Sequence, residues 1–231
     1  MHSTLELSEL NTMIGSLFMV GIASTEPDKA AMELVRTHKV GGVILFARNI
    51  REPVQLASLC LRLQEAAFSA TGAPLFLAVD QEGGRVARLK EPFTVHQGAS
   101  AIGRSRDPLE EAGRFAAVTA TEMRLVGLNM DMAPVLDVPS GDPERHLSGR
   151  TFGTDPDLVA ALGVKVIEGL QQKGIRAVGK HFPGLGKADL DPHHLLPTIH
   201  SSAAEMDSRD LIPFKAAIKA SSLADSSQYP N

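Results

Sequence analysis

The sequence predicts an α/β fold in which helices cover a parallel sheet. Short apolar runs alternate with longer amphipathic stretches along the chain, which is the pattern of parallel strands joined by helices. The chain has 231 residues, of which 43% are hydrophobic, so it can bury a core as one domain. No tandem repeat or linker interrupts the alternation, and residues 1–231 are therefore predicted to form a single domain.

Five apolar runs are the predicted strands. Their length and their flanking turn residues are typical of strands buried on both faces. They are SLFMVGIA from Ser16, GGVILFA from Gly41, PLFLAVD from Pro74, LNMDMAPVLD from Leu128 and IRAVGKHF from Ile175.

Several residues between these runs indicate where helices begin and end. Pro53 can open a helix, and Asp107-Pro108 and Asp155-Pro156 each combine an N-cap with a first-turn proline. Gly174 predicts a helix end. A last helix is predicted around LIPFKAAIKA, after the fifth strand.

Composition excludes several classes of protein. The net charge of −4 and the absence of a basic stripe argue against a nucleic-acid partner. The single cysteine, Cys60, excludes an internal disulfide framework and is expected to be an inert buried thiol. The apolar stretch IGSLFMVGIA is too short to cross a bilayer and follows acidic Glu6 and Glu9, which predicts a cytoplasmic protein without a membrane partner.

Charged residues follow three of the predicted strands. Asp80 ends the third run, Asp137 the fourth, and Lys180-His181 the fifth. Because loops at the carboxyl ends of parallel strands converge on one crevice, these residues predict a polar small-molecule pocket. Aromatic residues make up only 4% of the chain, which favours a ligand rich in hydroxyl groups over one that stacks on rings.

The residues alone leave several interpretations open. Asp80 or Glu82 could be a nucleophile, since both lie at a strand end beside Gly83-Gly84. Equally, the two glycines could be a simple turn, Asp80 a structural acid, and Arg150 the partner of a surface carboxylate. Neither Gly83-Gly84 nor the later Gly184-Leu185-Gly186 has the spacing of a dinucleotide-binding or phosphate-binding fingerprint, and no cofactor is predicted.

Several strings in series carry a resemblance to a known family. GGVILFARNI, AVDQEGGRVARL, APVLDV, GRTFGTDP and GKHFPGLG with LDPHH resemble the N-terminal barrel of glycoside hydrolase family 3, in its β-N-acetylhexosaminidase branch. The resemblance implies a (β/α)8 barrel of the TIM type, with about five to six β/α units in this chain. It also implies retaining hydrolysis of terminal β-linked N-acetylglucosamine or N-acetylhexosamine, with a saccharide or muropeptide of peptidoglycan recycling as partner.

The resemblance assigns roles to particular residues. A retaining glycosidase normally uses two carboxyl groups, and this branch implies that a histidine, paired with an aspartate two residues earlier, replaces one of them. That catalytic pair is Asp191 and His193, and imidazole suits it because its unperturbed pKa of about 6.5 lets it give and take protons. The implied ligands of the sugar hydroxyls are Asp80, Arg88, Arg150, Lys180 and His181.

The chain departs from the family pattern in three places. Pro192 stands between Asp191 and His193 where the family usually has serine, and Leu185 stands between Gly184 and Gly186 where it commonly has histidine. Proline should stiffen the loop while still allowing the pair to form. The family's nucleophilic aspartate belongs to a later segment that this chain does not reach, so the chain alone is predicted to be inactive.

Two other functions compete with the glycosidase. One is a sugar-binding remnant that keeps Asp80, Lys180 and His181 without a nucleophile. The other is a metal-dependent barrel hydrolase using His181, Asp191, His193 and His194. It is the weaker alternative, because no His-x-His follows the first strand and nothing closes a ligand set, and no metal is predicted. No oligomeric state is predicted.

Overall fold

The structure is a computed structural model that describes residues 7–140, 147–188, 196 and 198–224. The chain divides into two compact units, one of residues 1–79 with 122–130 and the other of residues 80–121 with 131–231. In chain order the regular elements are α1 Leu7–Ser16, β1 Met19–Gly21, α2 Lys29–Arg36, β2 Gly42–Leu45, α3 Pro53–Thr71, β3 Phe76–Val79, β4 Gln81–Gly83, β5 Val86–Ala87, α4 Ala99–Gly103, α5 Pro108–Leu125, β6 Met130–Asp131, α6 Pro156–Gln171, β7 Arg176–Ala177, α7 Ala203–Glu205 and α8 Ile212–Ala224. A 3-10 turn, Ala47–Asn49, follows β2, and a π-helical turn, Met206–Asp210, precedes α8.

The first unit is built on the parallel strands β1, β2 and β3. Val20 of β1 is in register with Val43 of β2, and Val43 with Leu77 of β3. Strand β6 lies next to β3. Val43 and Leu77 are fully buried, as expected for strands covered on both faces. The first three predicted strands are therefore confirmed.

Helix α3 begins at Pro53, as predicted. The Glu52 carboxylate accepts hydrogen bonds from the Val54 and Gln55 N–H groups at 3.1 and 2.7 Å, which satisfies donors that every helix start leaves open. Cys60 of this helix is fully buried, and burial raises the pKa of its thiol to about 12. The predicted burial of this thiol in the apolar interior is confirmed.

The second unit contains the β4–β5 hairpin, β7 and helices α6 and α8. Asp107 and Asp155 cap the helix starts as predicted, accepting hydrogen bonds from the N–H groups of Glu110 at 3.1 Å and Asp157 at 3.0 Å. Helices α6 and α8 pack together around a core that includes Leu136, Ile167, Phe214 and Ala217. The predicted last helix is confirmed as α8, and α6 ends three residues before Gly174.

The fourth and fifth strands are confirmed but shorter than their apolar runs. Strand β6 ends at Asp131, and β7 lies next to it. Pro134 lacks an N–H and cannot continue a ladder in both directions. Beyond it, Val135 and Lys180 still form one parallel bridge, in which Leu136 N–H donates to Lys180 O at 2.6 Å. This bridge places Lys180 beside the segment that ends in Asp137.

Within the described ranges, no helix combines the length and the apolar character needed to cross a membrane.

Candidate active site

The site is built on the β4–β5 hairpin of the second unit. Its turn consists of Gly84 and Arg85, directly after Gly83 at the end of β4. Gly83 and Gly84 have φ angles of +84° and +57°, values that favour glycine. The predicted turn is thus confirmed as a hairpin turn. The Gln81 side chain fixes the far end of the hairpin, because its Oε1 accepts hydrogen bonds from the N–H groups of Arg88 and Leu89, both at 2.9 Å.

Lys180 joins two carboxylates of this hairpin region. Its Nζ lies 2.8 Å from Asp80 Oδ1 and 2.7 Å from Glu82 Oε1. The Lys180 side chain is 15% exposed and that of Asp80 17%, whereas Glu82 is buried at 3%. The ammonium group therefore holds both carboxylates at a point that solvent or a ligand can still reach.

Arg150 forms an ion pair with Glu82, although the two residues are far apart in the sequence. Its Nε lies 2.8 Å from Glu82 Oε2, and its Nη2 lies 2.8 Å from Oε1, which is the bidentate geometry that strengthens arginine–carboxylate pairs. The interpretation that Arg150 pairs with a surface carboxylate is wrong, because Glu82 is buried. The same pairing argues against Glu82 as a nucleophile, since both of its oxygens accept hydrogen bonds from cations.

Asp80 is held as a carboxylate by two cations. Besides Lys180, Arg88 contacts it, with Nη2 at 3.1 Å from Oδ2. Burial by itself would raise the pKa of Asp80, but the hydrogen bonds and charges of Lys180 and Arg88 outweigh burial and lower that pKa below its usual value. Asp80 therefore presents a negative charge and hydrogen-bond acceptor oxygens at the edge of the site.

His181 is oriented by Asp137, which is fully buried. His181 Nδ1 lies 2.6 Å from Asp137 Oδ2, while Oδ1 of the same carboxylate accepts the N–H groups of His181 at 3.3 Å and Leu185 at 2.6 Å. On the other side of the ring, Arg150 Nη2 lies 3.4 Å from His181 Nε2. The imidazole, 29% exposed, thus links the charged cluster to the loop that starts at Phe182.

Asp131 adds a third buried acid to the site, besides Glu82 and Asp137. Its Oδ1 accepts the Gln81 N–H at 3.0 Å, and its Oδ2 has no hydrogen-bond partner among the described residues. Burial raises the pKa of Asp131 well above its usual value, although the charge of Lys180 opposes this shift. Asp131 is accordingly favoured as a neutral acid.

All five residues predicted to bind sugar hydroxyls belong to one connected network. The links run from Arg88 through Asp80 and Lys180, and through buried Glu82 to Arg150 and His181. The predicted catalytic pair, Asp191 and His193, lies outside the described residues.

Most of the ligands that the metal hypothesis predicts also lie outside the described residues. Of its four predicted ligands, His181 is described, whereas Asp191, His193 and His194 lie outside the described residues. Among the side chains that the structure describes, no group of three or more histidine, cysteine, aspartate or glutamate residues is placed to hold a metal ion.

Sequence reasoning missed three contributions to the site. These are the central ion pairs of Glu82, the contact of Asp137 with His181, and the buried acid Asp131. Glu82 follows the third predicted strand and Asp137 ends the fourth, which is the signal that could have indicated them, whereas Asp131 lies inside the fourth predicted strand. Their partners lie tens of residues away in sequence, so the strand-end position alone does not reveal the pairing.

An α/β fold with paired, partly exposed charges at its strand ends offers a site for a polar ligand. The N terminal domain of glycosyl hydrolase family 3 matches residues 9–225, and the chain belongs to this family. The resemblance found in the sequence is therefore confirmed.

Relatives and solved structures agree with this family. A beta-hexosaminidase of Pseudomonas aeruginosa (strain LESB58) is 40% identical over 204 residues, which are 87% of this chain and 59% of the relative. The structure of a glycoside hydrolase family 3 beta-N-acetylglucosaminidase from Paenibacillus sp. str. FPU-7 matches with a TM-score of 0.88 and 38% identity, over 94% of this chain and 40% of that one. Native NagZ from Neisseria gonorrhoeae matches with a TM-score of 0.80 and 32% identity, over 87% of this chain and 59% of that one.

These matches also confirm the predicted fold class. The parallel strands and helices of this chain are those of a (β/α)8 barrel of the TIM type, present in part. The chain spans 59% of the length of the Pseudomonas relative.

Proposed function

We propose that the whole protein removes a terminal β-linked N-acetylhexosamine with retention of configuration, and that this chain supplies the pocket for the sugar hydroxyls. The observation that carries the proposal is the network that joins Asp80, Lys180 and His181, with Arg88 and Arg150. The relatives named beta-hexosaminidase support the reaction type. One NagZ structure from Neisseria gonorrhoeae was solved with N-trifluoroacetyl-D-glucosamine, which supports the sugar class.

The charged side chains of the cluster can form hydrogen bonds with neighbouring hydroxyl groups of one sugar. An ammonium group has three N–H donors, and Lys180 directs donors at Asp80 and Glu82, which leaves one for a ligand. Asp80 stays ionised and can accept hydrogen bonds from hydroxyl groups beyond those from its two cations. Because these hydrogen bonds involve charged groups, they are stronger than bonds between neutral partners.

The chemical step is proposed to need groups beyond this cluster. Asp80 and Glu82 are both ion-paired, so neither is proposed as the nucleophile. Asp191 and His193 are proposed to transfer the protons, and a carboxylate from outside residues 1–231 is proposed to attack the sugar. The family resemblance suggests muropeptides of peptidoglycan recycling as the natural substrates. We propose that the protein acts on them in the cytoplasm.

Sugar binding tests the proposal directly. The chain is titrated with N-acetylglucosamine, and chemical-shift changes in its ¹H–¹⁵N spectrum give the dissociation constant. Asp80→Asn removes the negative charge and weakens both ion pairs, and we expect it to reduce the affinity at least about tenfold. The matched control is Asp207→Asn, which makes the same change at a carboxylate that is 65% exposed and paired with Lys215; we expect it to leave the affinity unchanged.

Hydrolysis of a p-nitrophenyl N-acetyl-β-glucosaminide separates binding from chemistry. Binding without turnover by residues 1–231 would agree with a sugar pocket whose nucleophile comes from elsewhere, or with a non-catalytic remnant. Turnover that Asp80→Asn abolishes would instead return Asp80 to the role of nucleophile. A wild-type chain that is folded but shows no interaction with the sugar would contradict the proposed function.

A further inference from the structure

The Asp137 carboxylate contacts three nitrogen atoms. Oδ1 accepts the main-chain N–H groups of His181 and Leu185, and Oδ2 faces His181 Nδ1 at 2.6 Å. Asp137 is 0% exposed, so water does not compete for these positions. A carboxylate with two N–H donors on one oxygen is best satisfied when the third group, the ring nitrogen, also carries its hydrogen.

Arg150 constrains the opposite side of the imidazole. A guanidinium group has five N–H donors and no acceptor, and Arg150 Nη2 lies 3.4 Å from His181 Nε2. A hydrogen on Nε2 would point towards another donor, whereas a lone pair there can accept. Asp137 thus favours a hydrogen on Nδ1, and Arg150 favours a lone pair on Nε2; together the two contacts select the tautomer with its hydrogen on Nδ1.

We propose that Asp137 is a positioning residue that fixes His181 in the Nδ1–H tautomer, so that the single lone pair of Nε2, which faces Arg150 Nη2 at 3.4 Å in this structure, accepts a hydrogen bond from a sugar hydroxyl in place of the arginine. Through the Leu185 N–H, the same carboxylate also anchors the glycine-rich loop to the strand end. The sugar part of this inference rests on the proposed function, but the tautomer part does not. Asp137 acts through His181 and has no contact with the sugar in this scheme.

Asp137→Asn provides a sharp test because it keeps the shape and changes the hydrogen-bond pattern. The two main-chain N–H groups at Oδ1 require an oxygen at that position, so the new amide must place its NH₂ group where Oδ2 faces Nδ1. The NH₂ group donates, and Nδ1 must then accept. The hydrogen of His181 moves to Nε2, where it meets the Arg150 guanidinium. A buried aspartate that orients a catalytic histidine shows the same consequence when changed to asparagine.

The tautomer is measured by ¹⁵N NMR of the imidazole nitrogens in the ¹⁵N-labelled chain. The signals of His181 are assigned as those that disappear in His181→Gln. We expect the wild type to show a protonated Nδ1 and an unprotonated Nε2, and Asp137→Asn to show the reverse. Asp207→Asn, the exposed control, should keep the wild-type pattern.

Three outcomes would overturn the positioning role. They are a wild-type His181 with its hydrogen on Nε2, a doubly protonated wild-type ring at neutral pH, and a folded Asp137→Asn that keeps its hydrogen on Nδ1. If Asp137→Asn does not fold, the wild-type spectrum alone decides, because the inference fixes its tautomer.

Addition of N-acetylglucosamine tests the acceptor role separately. We expect the wild-type Nε2 resonance to move on saturation with the sugar, and the affinity of Asp137→Asn to fall by about tenfold. A bound sugar that leaves this resonance in place would overturn the acceptor role. If the wild type does not bind the sugar, the proposed function fails, and the tautomer result still decides whether Asp137 positions His181.

Discussion

Polar side chains follow parallel strands in both units, but they are of two different kinds. In the first unit the buried polar group after β2 is the amide of Asn49, which is 0% exposed. Its Nδ2 donates to the carbonyls of Ile22 at 3.2 Å and Ser24 at 2.9 Å, and its Oδ1 accepts the Phe46 N–H at 2.9 Å. Every one of these partners is main chain.

Gln55 continues this neutral network. Its Nε2 donates to the carbonyls of Thr25 at 2.7 Å and Asn49 at 3.1 Å, and its Oε1 accepts the Arg51 N–H at 2.8 Å. The two amides join the chain segments after β1 and β2, and each amide donates two hydrogen bonds to main-chain carbonyls. Such a network stabilises loops and offers nothing to a ligand.

The second unit places charges at its strand ends instead. Asp80, Lys180 and His181 pair with other side chains and remain 17, 15 and 29% exposed. Ion pairs of this kind keep unused donors and acceptors at the surface of the site. The comparison teaches that a polar strand end indicates function when its partners are charged side chains and part of it is open, and structure when its partners are buried main-chain groups.

The largest expected effect comes from removing the cation between the two carboxylates. Lys180→Met should lower the free energy of unfolding by about 3–5 kcal/mol, because Asp80 and Glu82 lose a partner while remaining largely buried. It should also abolish sugar binding. Chemical denaturation measures the first effect and NMR titration the second.

The control for this change is Lys215→Met, at an ion pair whose side chains are 55 and 65% exposed. Exposed pairs contribute about 0–1 kcal/mol, so the control should be near wild type. Equal losses in the two variants would remove the distinction between the charged cluster and an ordinary surface pair.

Asn49→Ala tests the neutral hydrogen-bond network of the first unit. It removes three hydrogen bonds from buried main-chain groups, and we expect a loss of about 2–3 kcal/mol in the free energy of unfolding. The sugar affinity of the folded variant should equal that of the wild type, because this amide serves structure alone. A stable variant with weakened sugar binding would show that the neutral network also serves the site.

Asp131→Asn should have the smallest effect and should depend on pH. The pKa of Asp131 is raised in the folded chain, whereas an unfolded aspartate titrates near about 3.9. Folding above that pH requires proton uptake, so this group's contribution to stability falls as pH rises from about 4 towards the folded pKa. Asparagine is neutral throughout, so the variant should have a higher free energy of unfolding than the wild type at neutral pH.

Denaturation at several pH values measures this difference, which should shrink towards pH 4. Asp80 changes the stability with the opposite sign, because its pKa is lower in the folded chain than in the unfolded chain. Its contribution to stability is present above the unfolded pKa and is lost as the pH falls through the folded pKa. Asp80 is unchanged in Asp131→Asn, so subtracting the two curves isolates Asp131. Parallel curves for the two proteins would show that Asp131 is not held neutral.

The fold was largely predictable because its signals are local. Pro53, Asp107 and Asp155 mark helix starts through neighbours only two or three residues away, and each apolar run covers a strand of the structure. Strand lengths were less predictable. The run from Leu128 contains a strand of two residues, since Pro134 interrupts the ladder.

The pairing within the site could not be predicted from the residues alone. Asp80 and Lys180 are 100 positions apart, and Glu82 and Arg150 are 68 apart, so no local pattern shows which cation meets which carboxylate. The position of Asp80 at a strand end indicated a functional acid, but the two cations that hold it ionised appear only in the fold. Asn49 carried no signal, because its partners are main-chain groups that any sequence offers.

The loop from Gly184 to Gly186 shows how unevenly three adjacent positions are free to change during evolution. Gly184 has a φ of +125°, and a Cβ at Gly186 would lie 2.0 Å from the Val138 carbonyl oxygen, so both positions exclude a side chain. Between them, Leu185 is anchored to Asp137 through its N–H alone. Any residue except proline supplies that donor, and a mutation there can alter what the loop offers to a substrate without releasing its anchor.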